Sequence, residues 1–162
     1  MHQWRPLLYE PGNGELIVDY LKYLSGKGLV TVFAFVLMPN HLHLIWRQNK
    51  LNGKEKPQSS FLKYSAHEFL KVLKATGQSE FYKIKAANKA YEIWQRDSLS
   101  VELFSRDVAE QKLRYIHANP VKGKCKLAKD DLGYTFSSAR YYETGVDEFG
   151  FLKNLFDEFD GY

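Results

Sequence analysis

The chain has 162 residues, enough for one domain to bury a core without metal or disulfide staples. Hydrophobic residues make up 44% and charged residues 26%, which excludes a disordered or collagen-like chain. A net charge of +4 admits a polyanionic partner without demanding one, and no apolar run is long enough to span a bilayer. Met1-His2-Gln3-Trp4-Arg5 lacks the pattern of a signal peptide. A lone cysteine, Cys125, cannot form an intramolecular disulfide. Both features fit a reducing cytoplasm, and the expectation is a cytoplasmic protein with no membrane partner.

In chain order, Leu16, Ile17, Tyr20, Leu21 and Leu24 share one helical face over Glu15 to Leu24, and Gly26 and Gly28 end that helix. Leu29 to Leu37 is a continuous β-branched and aromatic run that reads as a buried strand. Met38-Pro39-Asn40 is a turn signal, and His41 to Arg47 reads as a second strand, closing a hairpin. Asn49 to Ser60 is polar and loop-like. Ser59 or Ser60 then caps a helix running to about Thr76. Gly77 to Ser100 is the least legible stretch. Ser105 caps a further helix from Arg106 to about Ala118, which Asn119-Pro120 stops. A turn-rich segment, a helix start at Ser137-Ser138 and an amphipathic tail follow. The order of elements predicts an α+β layer, with helices on a mainly antiparallel sheet.

His41 and His43 stand two residues apart on a predicted strand, so both imidazoles leave one face and can reach one cation. A bare His-x-His pair is more often two partly buried histidines. Two polar rings among Val, Phe, Leu and Ile would each need a partner, however, and a metal satisfies both. On the Arg106–Ala118 helix, Ala109, Leu113 and Ile116 form an apolar stripe. Tyr115 projects roughly 130° from it at about 100° per residue. Gln111 and Asn119 lie one turn either side of Tyr115. A tyrosine at that margin can simply be amphipathic. It becomes a nucleophile only beside a metal or base that stabilises the phenolate, so its role depends on whether the helix packs against the His-Leu-His strand.

Leu37-Met38-Pro39-Asn40-His41-Leu42-His43-Leu44-Ile45 resembles the HUH signature of single-strand tyrosine transposases. Gln111 to Val121 (QKLRYIHANPV) is similar to their nucleophile helix, most closely that of the REP-associated tyrosine transposases. Trp94-Gln95, Val101-Glu102-Leu103 and Phe136-Ser137-Ser138-Ala139 match that branch too, so the resemblance runs in order from about Trp4 to Tyr142. It implies one domain over residues 1–162 with a ferredoxin-like or RRM-like antiparallel sheet and helices packed on it. It also implies that Tyr115 attacks a DNA phosphate to give a 5′-phosphotyrosine. His41, His43 and Asn119 would hold a divalent metal, Mg²⁺ or Mn²⁺. Gln111 has no role in that pattern.

The expected substrate is single-stranded DNA carrying a hairpin. Lys83, Lys85, Lys89, Arg96, Lys122 and Lys124 are the candidate DNA contacts, joined by Lys126 and interleaved with Tyr82, Tyr91 and Trp94. A solvated basic face is an equal reading for any single lysine. Family members begin with a central strand before the first helix. Here only Met1 to Tyr9 precede Pro11-Gly12-Asn13-Gly14, so the resemblance implies a shortened first strand and a gap for another segment or subunit to fill. Alternatives remain open at this level: a catalytically inactive hairpin-binding protein of the same fold, a different His-x-His hydrolase, and an RNA-binding module. A monomer with its site in cis and a homodimer exchanging tyrosine helices are likewise both open.

Overall fold

The structure is a computed structural model that describes residues 1–95, 99–122 and 126–160. It is α+β, with five α-helices and two antiparallel two-stranded sheets among the described residues. Helix α1 (Asn13–Gly26) begins behind left-handed Gly12 and is released at left-handed Gly28. Strands β1 (Val30–Met38) and β2 (His41–Gln48) pair antiparallel across the Pro39-Asn40 turn. Helix α2 spans Pro57–Ala75. It starts earlier than expected: Pro57 occupies its first turn, where a missing N–H costs nothing, and Ser59 and Ser60 already lie inside the helix.

Residues 77–100 contain a short hairpin of β3 (Lys83–Ala86) and β4 (Lys89–Tyr91). Helix α3 (Arg106–Ala118) is capped by Ser105, whose hydroxyl accepts from the Val108 N–H at 3.4 Å. Short α4 (Ala139–Thr144) and α5 (Asp157–Asp160) complete the set.

The β1–β2 sheet separates two apolar layers. Val30, Val32, Phe35 and Leu37 of β1, with Leu42, Leu44 and Trp46 of β2, face Ile17, Leu21 and Leu24 of α1 and Phe61, Phe69 and Leu73 of α2. Phe33, Ala34, Val36 and Met38, with Ile45, face Ala109, Leu113 and Ile116 of α3. The register shifts between Val32 and Ala34, where Phe33 is the extra residue of a bulge. The bulge sends Phe33 and Ala34 to the same side and keeps the alternation in phase beyond them.

The expected ferredoxin-like sheet is not seen among the described residues, which hold two separate two-stranded sheets. Met1 to Tyr9 form no strand: His2–Trp4 and Leu7–Tyr9 are 3-10 turns, and Gln3 and Trp4 take left-handed backbone with φ of 48° and 56°. The edge of β1 away from β2 is filled instead by two later segments. Ser137 bridges Val36 in antiparallel sense and Leu152 bridges Val32 in parallel sense. Backbone bonds run from the Leu37 N–H to the Phe136 carbonyl at 2.9 Å and from the Lys153 N–H to the Val32 carbonyl at 3.0 Å. Hydroxyls finish the edge. Tyr142 donates to the Phe33 carbonyl at 3.0 Å and Tyr134 to that of Leu37 at 2.7 Å. These contacts satisfy backbone groups that burial would otherwise leave orphaned. The outer edge of β2 has no strand partner among the described residues.

Candidate active site

Alternation along β2 puts Leu42, Leu44 and Trp46 into the layer under α1 and α2, and therefore turns His41 and His43 to the α3 side. Their rings meet edge to face, with centroids 4.9 Å apart and planes at 88°. Asn40, at the turn, fixes the state of the first. Its Nδ2 donates to the Trp4 carbonyl at 3.2 Å, which leaves Oδ1 facing His41 Nδ1 at 2.6 Å. An amide oxygen only accepts, so His41 carries its proton on Nδ1 and its Nε2 lone pair is free. Burial, and then the neighbouring His43, push His41 down to about 4. Burial lowers His43 as well. Both rings are neutral at pH 7, the form that binds a cation.

Helix α3 brings Tyr115 to this pair. Its apolar stripe docks on the bulged face of β1, and the tyrosine on the helix flank meets His43 with centroids 5.6 Å apart and planes at 83°. Tyr115 is 53% exposed, so a macromolecular substrate can reach its hydroxyl. Asn119 is the C-cap residue of the same helix and donates from Nδ2 to the Tyr115 carbonyl at 2.9 Å. That bond leaves its Oδ1 as the amide's acceptor. Gln111 is exposed. Two neutral imidazole nitrogens suit a divalent ion of borderline character, whereas the contacts of Asn119 tie it to Tyr115 and not to either histidine. Among the described residues no group of three or more His, Cys, Asp or Glu gathers at any point.

His117 was not singled out by the sequence reading. It lies one turn beyond Leu113 on the buried stripe of α3 and is itself buried. Its Nε2 meets Ser138 Oγ at 2.8 Å, and that hydroxyl also accepts from the Phe35 N–H at 3.0 Å and donates to the Phe35 carbonyl at 3.1 Å. The tyrosine helix is thus tied to the middle of β1 through a buried polar link. The available signal was a histidine in register with Leu113, which must find a partner once buried.

The proposed DNA contacts do not converge in the same way. Lys83 pairs with Glu80 and Lys89 with Glu92, each at 2.7 Å, and Lys85 is exposed on the same small hairpin. Lys122, just beyond α3, and Lys126 are exposed. Arg96 and Lys124 lie outside the described residues. The interleaved aromatics are mostly committed elsewhere. Tyr82 is buried, Tyr91 packs against the core, and Trp94 packs near Phe61 and Phe69 while donating to Ser65 Oγ at 2.9 Å. No protein-family model matches the chain, and no curated protein or solved structure matches it significantly.

Proposed function

We propose that the protein is a metal-dependent tyrosine endonuclease or transposase acting on single-stranded, hairpin-bearing DNA. The observation that carries this reading is the edge-to-face contact between His43 and Tyr115, which joins two motifs lying far apart in the sequence. The packing of α3 on the face of β1–β2 opposite α1 and α2 supports the reading, because it brings the tyrosine helix to the histidine side of the hairpin. His41, His43 and Asn119 would hold a divalent cation, which when bound polarises a non-bridging phosphate oxygen. The Tyr115 hydroxyl gives up its proton to solvent as its oxygen attacks phosphorus, the bond to the 3′ oxygen breaks, and that oxygen leaves with the electron pair and takes up a proton from solvent. The 5′-phosphotyrosine conserves the bond energy for rejoining. His41 and His43, held neutral, are available as ligands throughout.

Incubation with labelled hairpin DNA from the gene's flanks and Mn²⁺ tests the reading on a denaturing gel. A protein–DNA adduct is expected, absent in Tyr115→Phe, in His41→Ala and with chelator. Absence of any adduct alongside retained hairpin binding would contradict catalysis and leave a binding protein of the same fold. Metal-dependent cleavage that survives Tyr115→Phe would point to an ordinary hydrolase.

A further inference from the structure

Trp4 stands at the end of a run of four rings. It meets His41 with centroids 6.3 Å apart at 81°, His41 meets His43, and His43 meets Tyr115. It is 61% exposed, beside the proposed phosphate site. Nothing in the apolar core requires it there, and its backbone is costly. Two successive non-glycine residues, Gln3 and Trp4, sit in left-handed conformation, each at an energetic disadvantage that persists only when the surroundings impose it.

The surroundings do impose it. Asn40, the residue that orients His41, holds the Trp4 carbonyl at 3.2 Å. Leu8 N–H donates to the Pro39 carbonyl at 2.9 Å, and His2 N–H to that of Ile93 at 2.8 Å. The next residue, Arg5, lies with its guanidinium 5.0 Å over the Phe81 ring.

We propose that Trp4 is the stacking platform for an unpaired nucleobase flanking the scissile phosphate. The assignment rests on the tyrosine-nuclease reading above. An indole stacks on any base, so Trp4 adds affinity and positions the strand without reading its sequence. One contact network, through Asn40, fixes both the platform and the first metal ligand, so a base seated on Trp4 sets its phosphate relative to His41.

The test uses the full chain in two steps. Wild-type protein and Mn²⁺ first locate the cleaved phosphodiester by adduct formation on the flank hairpin. Fluorescence anisotropy then measures binding of that oligonucleotide in a Tyr115→Phe background, with an abasic nucleotide placed on either side of the cleavage point. Trp4→Ala should weaken binding by about 5- to 150-fold, the range expected for one lost stacked base, and Trp4→Phe should restore most of it. The abasic substitution at one flank should weaken the Trp4 protein similarly and cost Trp4→Ala nothing further. If Trp4→Ala does not fold, Trp4→Leu, apolar but without an aromatic face, carries the same expectation. Binding by these variants within about twofold of the parent, or an abasic penalty undiminished without the indole, overturns the assignment while the adduct stands. A wild-type protein that forms no adduct overturns the parent reading, and this inference with it.

Discussion

His41 and His117 are both pushed down to about 4 by burial, yet they use neutrality differently. His41 donates its Nδ1–H to Asn40, which leaves Nε2 as the acceptor nitrogen that the proposed ligand role requires. His117 spends its Nε2 on Ser138, which makes it a strut. Unfolding returns His117 to an ordinary value of 6.5, so between pH 6.5 and about 4 the unfolded chain binds a proton that the fold excludes. The stability this ring contributes is complete above pH 6.5 and is lost as the pH falls towards 4, by on the order of 3 kcal/mol. Urea unfolding at pH 7 and at about pH 4.5 should show a larger loss for the wild type than for His117→Gln, which cannot titrate. Equal losses would contradict a buried neutral ring.

Among the elements, β1 depends most on contacts from remote sequence. β2 serves one of its edges, and the other is held by residues 136–138 and 151–153 with the hydroxyls of Tyr134, Ser138 and Tyr142. Ser138 is wholly buried and joins Phe35 of the strand to His117 of the tyrosine helix. Ser138→Ala strands the Phe35 N–H and the imidazole together, and should cost about 1–3 kcal/mol in a denaturant titration. A loss below about 0.5 kcal/mol would mean that the link is incidental.

The sequence made α1, β1, β2 and α3 legible because the helices carry an apolar face at helical spacing and β1 a continuous apolar run, with glycine, proline or serine at the boundaries. It could not show the edge-filling of β1, since Ser137-Ser138 and the Phe151-Leu152 segment read locally as a helix start and an amphipathic tail. Nor could it show that Met1 to Tyr9 fold into 3-10 turns in place of a strand. That outcome follows from contacts with Asn40, Pro39 and Ile93, all distant in the chain.

At the scale of the whole molecule, the sheet sorts the chain into one apolar layer under α1 and α2 and another under α3, the side on which His43 meets Tyr115. Spacing alone put the two histidines on one face. Which face, and whether Tyr115 shared it, required the packing of α3. The three candidate ligands bring no net charge, since two imidazoles are neutral and the third donor is an amide. A divalent cation held by such a set gains much of its electrostatic stabilisation from the substrate phosphate. Calorimetry should therefore find Mn²⁺ bound weakly by the protein alone and at least about tenfold more tightly in the presence of a Tyr115→Phe-trapped hairpin. Equal Mn²⁺ affinity with and without DNA would argue against a site completed by phosphate.

The most direct measurement is mass spectrometry of the protein–DNA adduct after proteolysis. The nucleotide remnant is predicted on the peptide containing Tyr115, as a phosphotyrosine, and only when the divalent metal is present. A remnant on Tyr9 or another tyrosine, or a substrate cleaved with no covalent remnant on the protein, would contradict the assignment of Tyr115 as the nucleophile.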